Sequence, residues 1–365
     1  MAKKVFVGLS GGVDSSVTAA LLKQQGYDVT GVYMKNWSKD LPGFPCPWKE
    51  DYQDAKRVAV QLDIPFLMFD FEKEYKDRVV DYMLEGFKAG VTPNPDIMCN
   101  QEIKFKLFLE TALENGADMI ATGHYAKVAS RKYKVEGKNS PLVTRHSLLT
   151  AKDSNKDQTY FLYRVTKDAL AKTMFPLGAY TKPEVRKLAE KFGLITAKKK
   201  ESMGICFVGK VGIKEFLQQY VQTSRGNIVD HSPAGAGKVI GKHDGAIFYT
   251  IGQRHGLDVG GGLPYYVTGK DMGKNEVYVT SDISDEKLWR KEFSLTTLHW
   301  INDAPKNGQK LSVRTRHRAP LEDCTVSLTG KVATIKLDGQ LRALTPGQSA
   351  VLYDDNRVLG GGIIC

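Results

Sequence analysis

The sequence predicts an α/β fold, with an open parallel sheet carrying helices on both faces, followed by two small β domains, the last a β-barrel. Three observations predict it. Over roughly the first 200 residues, short apolar runs alternate with helix-spaced segments, the rhythm of a parallel sheet. Near Arg225 the texture changes, glycine becomes frequent and helical periodicity disappears. Toward the C-terminus short strands are separated by turns, as in a compact barrel. At ~150 residues per domain, 365 residues allow two or three units. The expected units are 1–210, 211–282 and 283–365.

Taken in order, Val5-Phe6-Val7 is the first strand, Gly8 to Ser16 a glycine-bearing turn, and Val17 to Leu22 the body of a helix that Gly26 ends. Asp28 to Met34 is the second strand. A Pro- and Trp-rich loop from Leu41 to Trp48 leads into a helix from Asp51 to Leu62, with Ala55, Val58, Ala59 and Leu62 on one side. Pro65 to Phe71 is nearly all apolar and reads as a parallel strand covered on both faces. A helix from Glu72 to Ala89 stops at Gly90. The prolines of Thr92-Pro93-Asn94-Pro95-Asp96-Ile97-Met98-Cys99-Asn100 exclude regular helix and predict a stiff loop. Ile103 to Leu113 is amphipathic, Asp118 to Ala121 is a strand, and Thr122-Gly123-His124 is the loop beyond it. Asp153 to Gln158 is a polar loop, and Pro183 to Phe192 is a helix closed by Gly193. In the middle unit Ala246 to Ile251, Tyr265 to Thr268 and Glu276 to Thr280 read as strands. In the last unit Leu311 to Val313, Thr325 to Leu328, Val332 to Leu337 and Ala350 to Tyr353 do so, and Gly360-Gly361-Gly362 reads as a turn.

The 52 Lys and Arg exceed the 41 Asp and Glu, and the resulting +11 favours a polyanionic partner such as nucleic acid. Five cysteines without close pairs argue against a disulfide scaffold or a CxxC zinc site, so a reduced cytosolic setting fits best. No signal peptide is apparent, and nowhere do ~18 apolar residues run together. The expectation is a soluble cytoplasmic protein without a membrane partner.

The glycine turn carries the chemistry. Adjacent glycines let backbone approach a ligand closely and leave N–H groups free at a helix start, where the positive end of the dipole suits a phosphate. The spacing is neither G-x-G-x-x-G nor G-x-x-x-x-G-K-[ST]. A tight turn capped by Ser10 is the plainer alternative. Asp14 reads either as a first-turn acid or as a group orienting Mg²⁺ on pyrophosphate. Ser10 to Asp14, Met34 and Gly123-His124 all fall at predicted strand ends, where ligands of open sheets lie. Cys99 ends the Pro-rich loop, and Cys206 follows Lys198-Lys199-Lys200. Each is either a small buried hydrophobe or, with cations and loop N–H groups nearby, a thiol of raised nucleophilicity. Asp96 is open between an Asx-type turn and a general acid/base.

Several blocks together carry a resemblance: Ser-Gly-Gly-Val-Asp-Ser from Ser10, Pro-Asn-Pro-Asp-Ile-Met-Cys-Asn, Thr-Gly-His-Tyr-Ala, Ser-Asn-Lys-Asp-Gln-Thr-Tyr-Phe-Leu, Gly-Ile-Cys-Phe and Thr-Pro-Gly-Gln-Ser-Ala-Val. The first resembles the loop of the ATP pyrophosphatases, which cut ATP between the α- and β-phosphates. In this order, over essentially the whole chain, the set resembles the bacterial tRNA-specific 2-thiouridylases. The resemblance implies an adenine nucleotide alpha-hydrolase-like first domain and a C-terminal barrel that contacts tRNA. It places ATP on Gly8, Leu9, Ser10, Gly11, Gly12, Val13, Asp14, Ser15, Met34 and Gly123. It makes Cys99 the nucleophile and Cys206 the persulfide cysteine, with Asp96 as candidate acid/base. Asn94, Pro95 and Asp96 match the stretch that meets the target base, and His124, Lys156, Asp157, Gln158, Arg316, His317 and Gln348 match tRNA contacts. Met203 stands where a small hydroxylated residue is expected, and His317 where tyrosine is. Arg314, Arg316 and Arg318 alternate, which in a strand would align three guanidiniums as a phosphate track.

The implied activity is ATP-dependent 2-thiolation of the wobble uridine of tRNAs for Lys, Glu and Gln. ATP, with Mg²⁺, adenylates the C2 oxygen, and sulfur brought as a persulfide from a donor protein, a cysteine desulfurase or a relay, displaces AMP. No protein-bound metal is implied. An amide-forming ligase would share the first domain but would not need two reactive cysteines or a basic barrel. A non-enzymatic tRNA-binding module would leave the ATP loop idle.

Overall fold

The computed structural model describes residues 2–40, 42, 45–134, 142–200, 212–232, 235, 237–257, 259–260 and 264–365. Its first unit contains β1 (Lys4–Gly8), α1 (Val13–Gln24), β2 (Asp28–Lys35), α2 (Trp48–Gln61) and β3 (Phe66–Asp70). A nearly continuous helix follows as α3 (Glu72–Tyr75), a π-helical stretch (Lys76–Val80) and α4 (Asp81–Lys88). Then come α5 (Pro95–Met98), a second π-helix (Cys99–Leu107), α6 (Phe108–Glu114) and β4 (Met119–Ala121). The hairpin β5 (Lys127–Lys134) and β6 (Leu142–Leu149), α7 (Lys167–Ala171), β7 (Thr173–Met174) and α8 (Lys182–Lys191) complete it.

The sheet is parallel in the order β3-β2-β1-β4-β7. Alternation in β1 sends Val5 and Val7 to Ala19, Leu22, Ala55 and Ala59 of α1 and α2, and sends Phe6 to the other face, with Met83, Ile103 and Phe108. Both faces are therefore covered, as predicted. The strand order reverses between β1 and β4, so a crevice opens beyond Gly8 and Ala121. On its outer side α1 packs Val17, Ala20 and Leu21 against Val185 and Ala189 of α8.

Two local expectations are corrected, and one element is new. β3 is an edge strand, and Leu67 and Met68 are exposed rather than covered. The Pro-rich stretch does form helix: Asn94 caps α5 by accepting from Ile97 N at 3.3 Å, and Pro95 takes a first-turn position whose missing N–H costs no bond. The hairpin β5–β6 has no counterpart in the sequence reading, because its strands are as polar as they are apolar.

After α9 (Ile213–Leu217), β8 (Gly226–Asp230), β9 (Lys238–His243), β10 (Tyr266–Asp271) and β11 (Glu276–Thr280) form a sheet in the order β10-β11-β8-β9. Ala246 to Ile251 is not a strand there, because Ala246–Phe248 is a 3₁₀ turn whose Ala246 N is held by Asn275 Oδ1. The last unit has β12 (Trp289–Trp300), β13 (Gln309–Arg314), β14 (Glu322–Thr329), β15 (Val332–Arg342), β16 (Ser349–Asp354) and β17 (Arg357–Ile364). The order β12-β15-β14-β13-β16-β17 closes through β12–β17 pairing into a six-stranded barrel. Gly360 to Gly362 is part of β17, not a turn. A Cβ at Gly361 would stand 2.1 Å from Ala350 O and one at Gly360 2.1 Å from His299 O, so glycine lets the closing strands meet.

The parallel-sheet unit and the barrel share one core. β6 pairs with β17, and Tyr160, Tyr163 and Tyr353 are fully buried where they meet. Tyr160 donates to Ser349 O at 2.9 Å, and the Tyr163 hydroxyl is 3.0 Å from Ser349 Oγ. Among the described residues no helix is long and apolar enough to cross a membrane.

Candidate active site

The glycine turn crosses the mouth of the crevice. Gly12 occupies the N-cap of α1 and no side chain caps it, so the Ser10-capped alternative is not what forms. The serines brace the turn instead: Ser10 N donates to Ser15 Oγ at 3.1 Å, and Ser16 Oγ donates to Gly12 O at 2.8 Å. The glycines serve different ends. Gly11 has φ +74°, and a Cβ there would lie 2.4 Å from Asp51 O, so its bare carbon faces α2. At Gly12 a Cβ would meet only Ser10 Oγ at 3.4 Å. Gly123, at the end of β4, lies against the first turn of α1, where a Cβ would come within 2.8 Å of Ser15 N. Met34 closes over Gly8 from β2, its Cε 3.0 Å from where a Cβ would be. An uncapped helix start beside a close-packed glycine turn is a ready anion site.

A cavity of about 300 Å³ opens in front of it, floored by Ser10, Gly12, Val13 and Asp14. Lys156, Gln158, Lys182, Lys200, His317 and Arg318 come to its rim from four other parts of the chain. Asp14 is ion-paired to Lys182, whose Nζ is 2.8 Å from each carboxylate oxygen, and Oδ1 also accepts from the Tyr125 hydroxyl at 2.9 Å. Gln158 Oε1 accepts from Tyr125 N at 2.9 Å and fixes the adjoining wall. In this structure both oxygens of Asp14 are thus engaged by internal partners at the cavity floor. Among the described residues no three His, Cys, Asp or Glu side chains gather to hold a cation. A larger cleft of about 620 Å³ around Ile283, Trp289 and Arg290 contains none of the residues singled out by sequence.

The helix around Cys99 connects to this cavity through Asn100, Phe161 and His317. Asn100 Nδ2 donates to Phe161 O at 3.3 Å, and the Phe161 ring lies 4.5 Å from that of His317, on the cavity wall. Burial pushes the His317 imidazole down to about 4, so the ring is neutral at pH 7. Asp96 is half-buried in the first turn of α5. Cys99 opens the second π-helix and is 1% exposed. Burial raises its thiol above the ordinary range, with the Lys104 charge and a hydrogen bond from Tyr75 pulling the other way. Cys206 and Met203 lie outside the described residues. Of the lysines before them, Lys199 is bound to Asp51 and Asp54 of α2 at 2.9 and 2.6 Å, whereas Lys200 reaches the cavity.

Four residues matched to tRNA contacts have internal partners. His124 is buried against Phe105 and Phe175, its Nδ1 2.8 Å from Thr122 Oγ1, and burial keeps it neutral. Asp157 accepts from Ala151 N at 3.0 Å and Thr159 Oγ1 at 2.6 Å, and pairs with Arg314 at 3.3 Å. Gln348 Nε2 donates to Thr92 O at 2.8 Å. Arg316 Nη2 donates to Ala343 O at 2.6 Å, Thr345 Oγ1 at 2.9 Å and Ile251 O at 3.2 Å, joining barrel to middle unit. The arginine track does not form, because β13 ends at Arg314 and Arg318 sits in a turn at φ +64°. Lys182 was missed by the sequence reading, as were Tyr125 and Phe161, although these two stand inside quoted blocks; Lys200 and Arg318 were singled out, but not as neighbours of the glycine turn. Lys182 meets Asp14 across 168 residues and had no sequence signal.

Comparison with known proteins follows the same division. Profiles described as a tRNA methyl transferase HUP domain, a tRNA methyl transferase PRC-barrel domain and an aminomethyltransferase beta-barrel domain match residues 3–210, 214–281 and 290–364. The chain is 46% identical over 367 residues to the tRNA-specific 2-thiouridylase MnmA of Streptococcus thermophilus, covering 99% of this chain and 95% of that protein. It is 47% identical over 366 residues to MnmA of Bacillus subtilis, covering 99% and 94%. Among solved structures, NMN synthetase from Francisella tularensis matches 55% of this chain and 66% of its own at 16% identity, with a TM-score of 0.34. Identity at this level along nearly the whole length, with the same three units in the same order, means that the chain belongs to the tRNA-specific 2-thiouridylase (MnmA) family.

Proposed function

We propose that this enzyme is an ATP-dependent tRNA uridine 2-sulfurtransferase, acting on the wobble uridine of tRNAs for Lys, Glu and Gln by adenylation and persulfide transfer. The observation that carries the reading is the uncapped start of α1, opening with Lys156, Lys182, Lys200 and Arg318 onto one cavity whose wall leads through His317 and Phe161 to the helix around Cys99. A phosphate site beside a sulfur site suits thiolation. Methyl transfer, named in two of the matching profiles, needs no triphosphate.

The chemistry follows from the poor leaving ability of the uridine C2 oxygen. That oxygen forms a bond to the α-phosphorus of ATP, the α–β bridging oxygen leaves with the electron pair as pyrophosphate, and the base loses its N3 proton, for which Asp96 is the nearby candidate acceptor. The terminal sulfur of a Cys206 persulfide attacks C2 and expels AMP. Cys99 thiolate then attacks Cys206 Sγ, which frees 2-thiouridine and leaves a Cys99–Cys206 disulfide for an external reductant to reopen. The sulfur comes from a donor protein, a cysteine desulfurase or a relay. Mg²⁺ would arrive on the nucleotide's phosphates. Gly8 to Ser15, Met34 and Gly123 form the nucleotide site in this reading, and 1–210, 211–282 and 283–365 are its working units, the last contacting tRNA in a cytoplasmic setting.

The test is mass spectrometry of nucleosides from tRNA incubated with enzyme, ATP and a labelled sulfur donor, with pyrophosphate followed in parallel. Pyrophosphate release should require tRNA. Cys206→Ser should lose both protein-bound label and 2-thiouridine, and Cys99→Ser should keep the label but stall its release. Full thiolation by Cys206→Ser, or a turnover disulfide through Cys46 or Cys324, would overturn the assignment of the cysteines.

A further inference from the structure

We propose that Lys182 is a catalytic residue that touches the α- and β-phosphates of ATP and stabilises the charge that develops as pyrophosphate leaves. This rests on the adenylation reading above. Lysine is rarely buried without a task, because its charged form is costly to remove from water. Lys182 is nevertheless 9% exposed, and its ammonium faces the cavity floored by the glycine turn.

Its placement is rigid. The residue begins α8, where its own N donates to Asp153 Oδ2 at 2.8 Å, Thr181 and Glu184 form a capping box, and Pro183 stiffens the first turn. From there Nζ lies 2.8 Å from both oxygens of Asp14, the second residue of α1, and 5.9 Å from the Tyr125 ring centre. The packing of α8 on α1 through Val185, Ala189, Val17 and Leu21 fixes this distance before any ligand arrives. A purely structural ion pair would serve equally well on the outer side of α1. This one stands at the uncapped N-terminus, the position where a polyphosphate would meet the helix dipole.

The chemistry assigns the two partners different parts. As the C2 oxygen bonds to the α-phosphorus and the α–β P–O bond breaks, negative charge grows on the leaving pyrophosphate. A fixed ammonium in a partly dry site stabilises that charge more than it stabilises bound ATP. Asp14 is the positioning residue: it holds the ammonium in place and neutralises it when no phosphate is bound.

The experiment is tRNA-dependent exchange of labelled pyrophosphate into ATP, without sulfur donor, for wild type, Lys182→Met and Lys182→Arg. Equilibrium dialysis of ATP and a thermal melt accompany each. Lys182→Met should fold, lose less than about 10-fold in ATP affinity and lose about 100-fold or more in exchange rate. Lys182→Arg should recover part of the exchange because it retains a cation of different shape. Exchange within about threefold of wild type in folded Lys182→Met would overturn the role while leaving adenylation intact. Loss of exchange matched by an equal loss of ATP affinity would make Lys182 a binding residue only and also overturn it. Absence of exchange in the wild type would overturn the adenylation reading and this role with it.

Discussion

Replacing Gln348 by alanine separates two roles for one residue. Its Nε2 donates to Thr92 O at 2.8 Å, next to a backbone bond from Thr92 N to Pro346 O at 2.9 Å. Together these tie β16 of the barrel to the chain that enters α5. Gln348→Ala removes the side-chain bond and leaves a half-buried carbonyl that water can partly satisfy, a loss of about 1–2 kcal/mol. If that loss falls on local opening of the Thr92–Cys99 segment, its open population rises about 5–30-fold. Cys99 is 1% exposed, so its alkylation under limiting reagent reports that opening directly. The expected result is faster Cys99 alkylation by about that factor, slower thiolation, and tRNA affinity within about threefold of wild type. A tenfold loss of tRNA affinity with Cys99 alkylation unchanged would refute the strut and make Gln348 an RNA contact.

Gly11→Ala should destabilise the fold, since its Cβ would strike Asp51 O at 2.4 Å in a left-handed conformation, whereas Gly12→Ala should melt like wild type yet bind ATP more weakly; thermal melts with dialysis decide both. Exposed Arg318 at the cavity rim should contribute about one unit to the salt slope of tRNA binding, while Arg316→Ala, which breaks three internal bonds, should lower the melting temperature and change the slope by less; filter binding across salt measures this. His124 is held neutral by burial, with its folded pKa well below the ordinary value near 6.5, so the unfolded chain binds its proton first as pH falls. Stability should therefore drop below pH 6.5 by at most about 1.4 kcal/mol per pH unit from this group, and urea titrations at pH 7 and 5.5 should show a smaller difference for His124→Asn.

The parallel sheet was legible because β1 and β2 are apolar on both faces and alternate with clear helical spacing, and a reversal point beside the glycine turn then follows from topology. The Pro-Asn-Pro-Asp stretch was misread because proline excludes helix only in the interior; at the first turn, after an Asn that can cap, it favours one. The triple glycine was misread because local sequence cannot show that three strands crowd one point of the barrel. Site residues inside a motif were found, but their directions were not. Nothing in the order of residues says that Asp157 turns inward to Arg314 or that Lys182 crosses 168 residues to Asp14.

The inward turn of these side chains has a consequence for how RNA could be held. Asp157 is buried with Arg314, Thr159 links it to the Tyr353 hydroxyl at 3.3 Å, and Tyr160 and Tyr163 bond the strand that carries Ser349. A buried polar network of this kind resists displacement, because opening it leaves polar groups without partners in a poor solvent. The parallel-sheet unit and the barrel are thus joined by a network in which Asp157, matched by resemblance to a tRNA contact, takes part. The cavity itself is bordered by cations from distant parts of the chain, Lys156, Lys200 and Arg318, beside one neutral aromatic pair, Phe161 and His317. A phosphate backbone suits the cations and an unstacked base suits the rings. On the proposed function, specificity for one base then rests on a rigid junction that sets the distance between ring pair and phosphate turn, more than on the number of charges that meet the RNA.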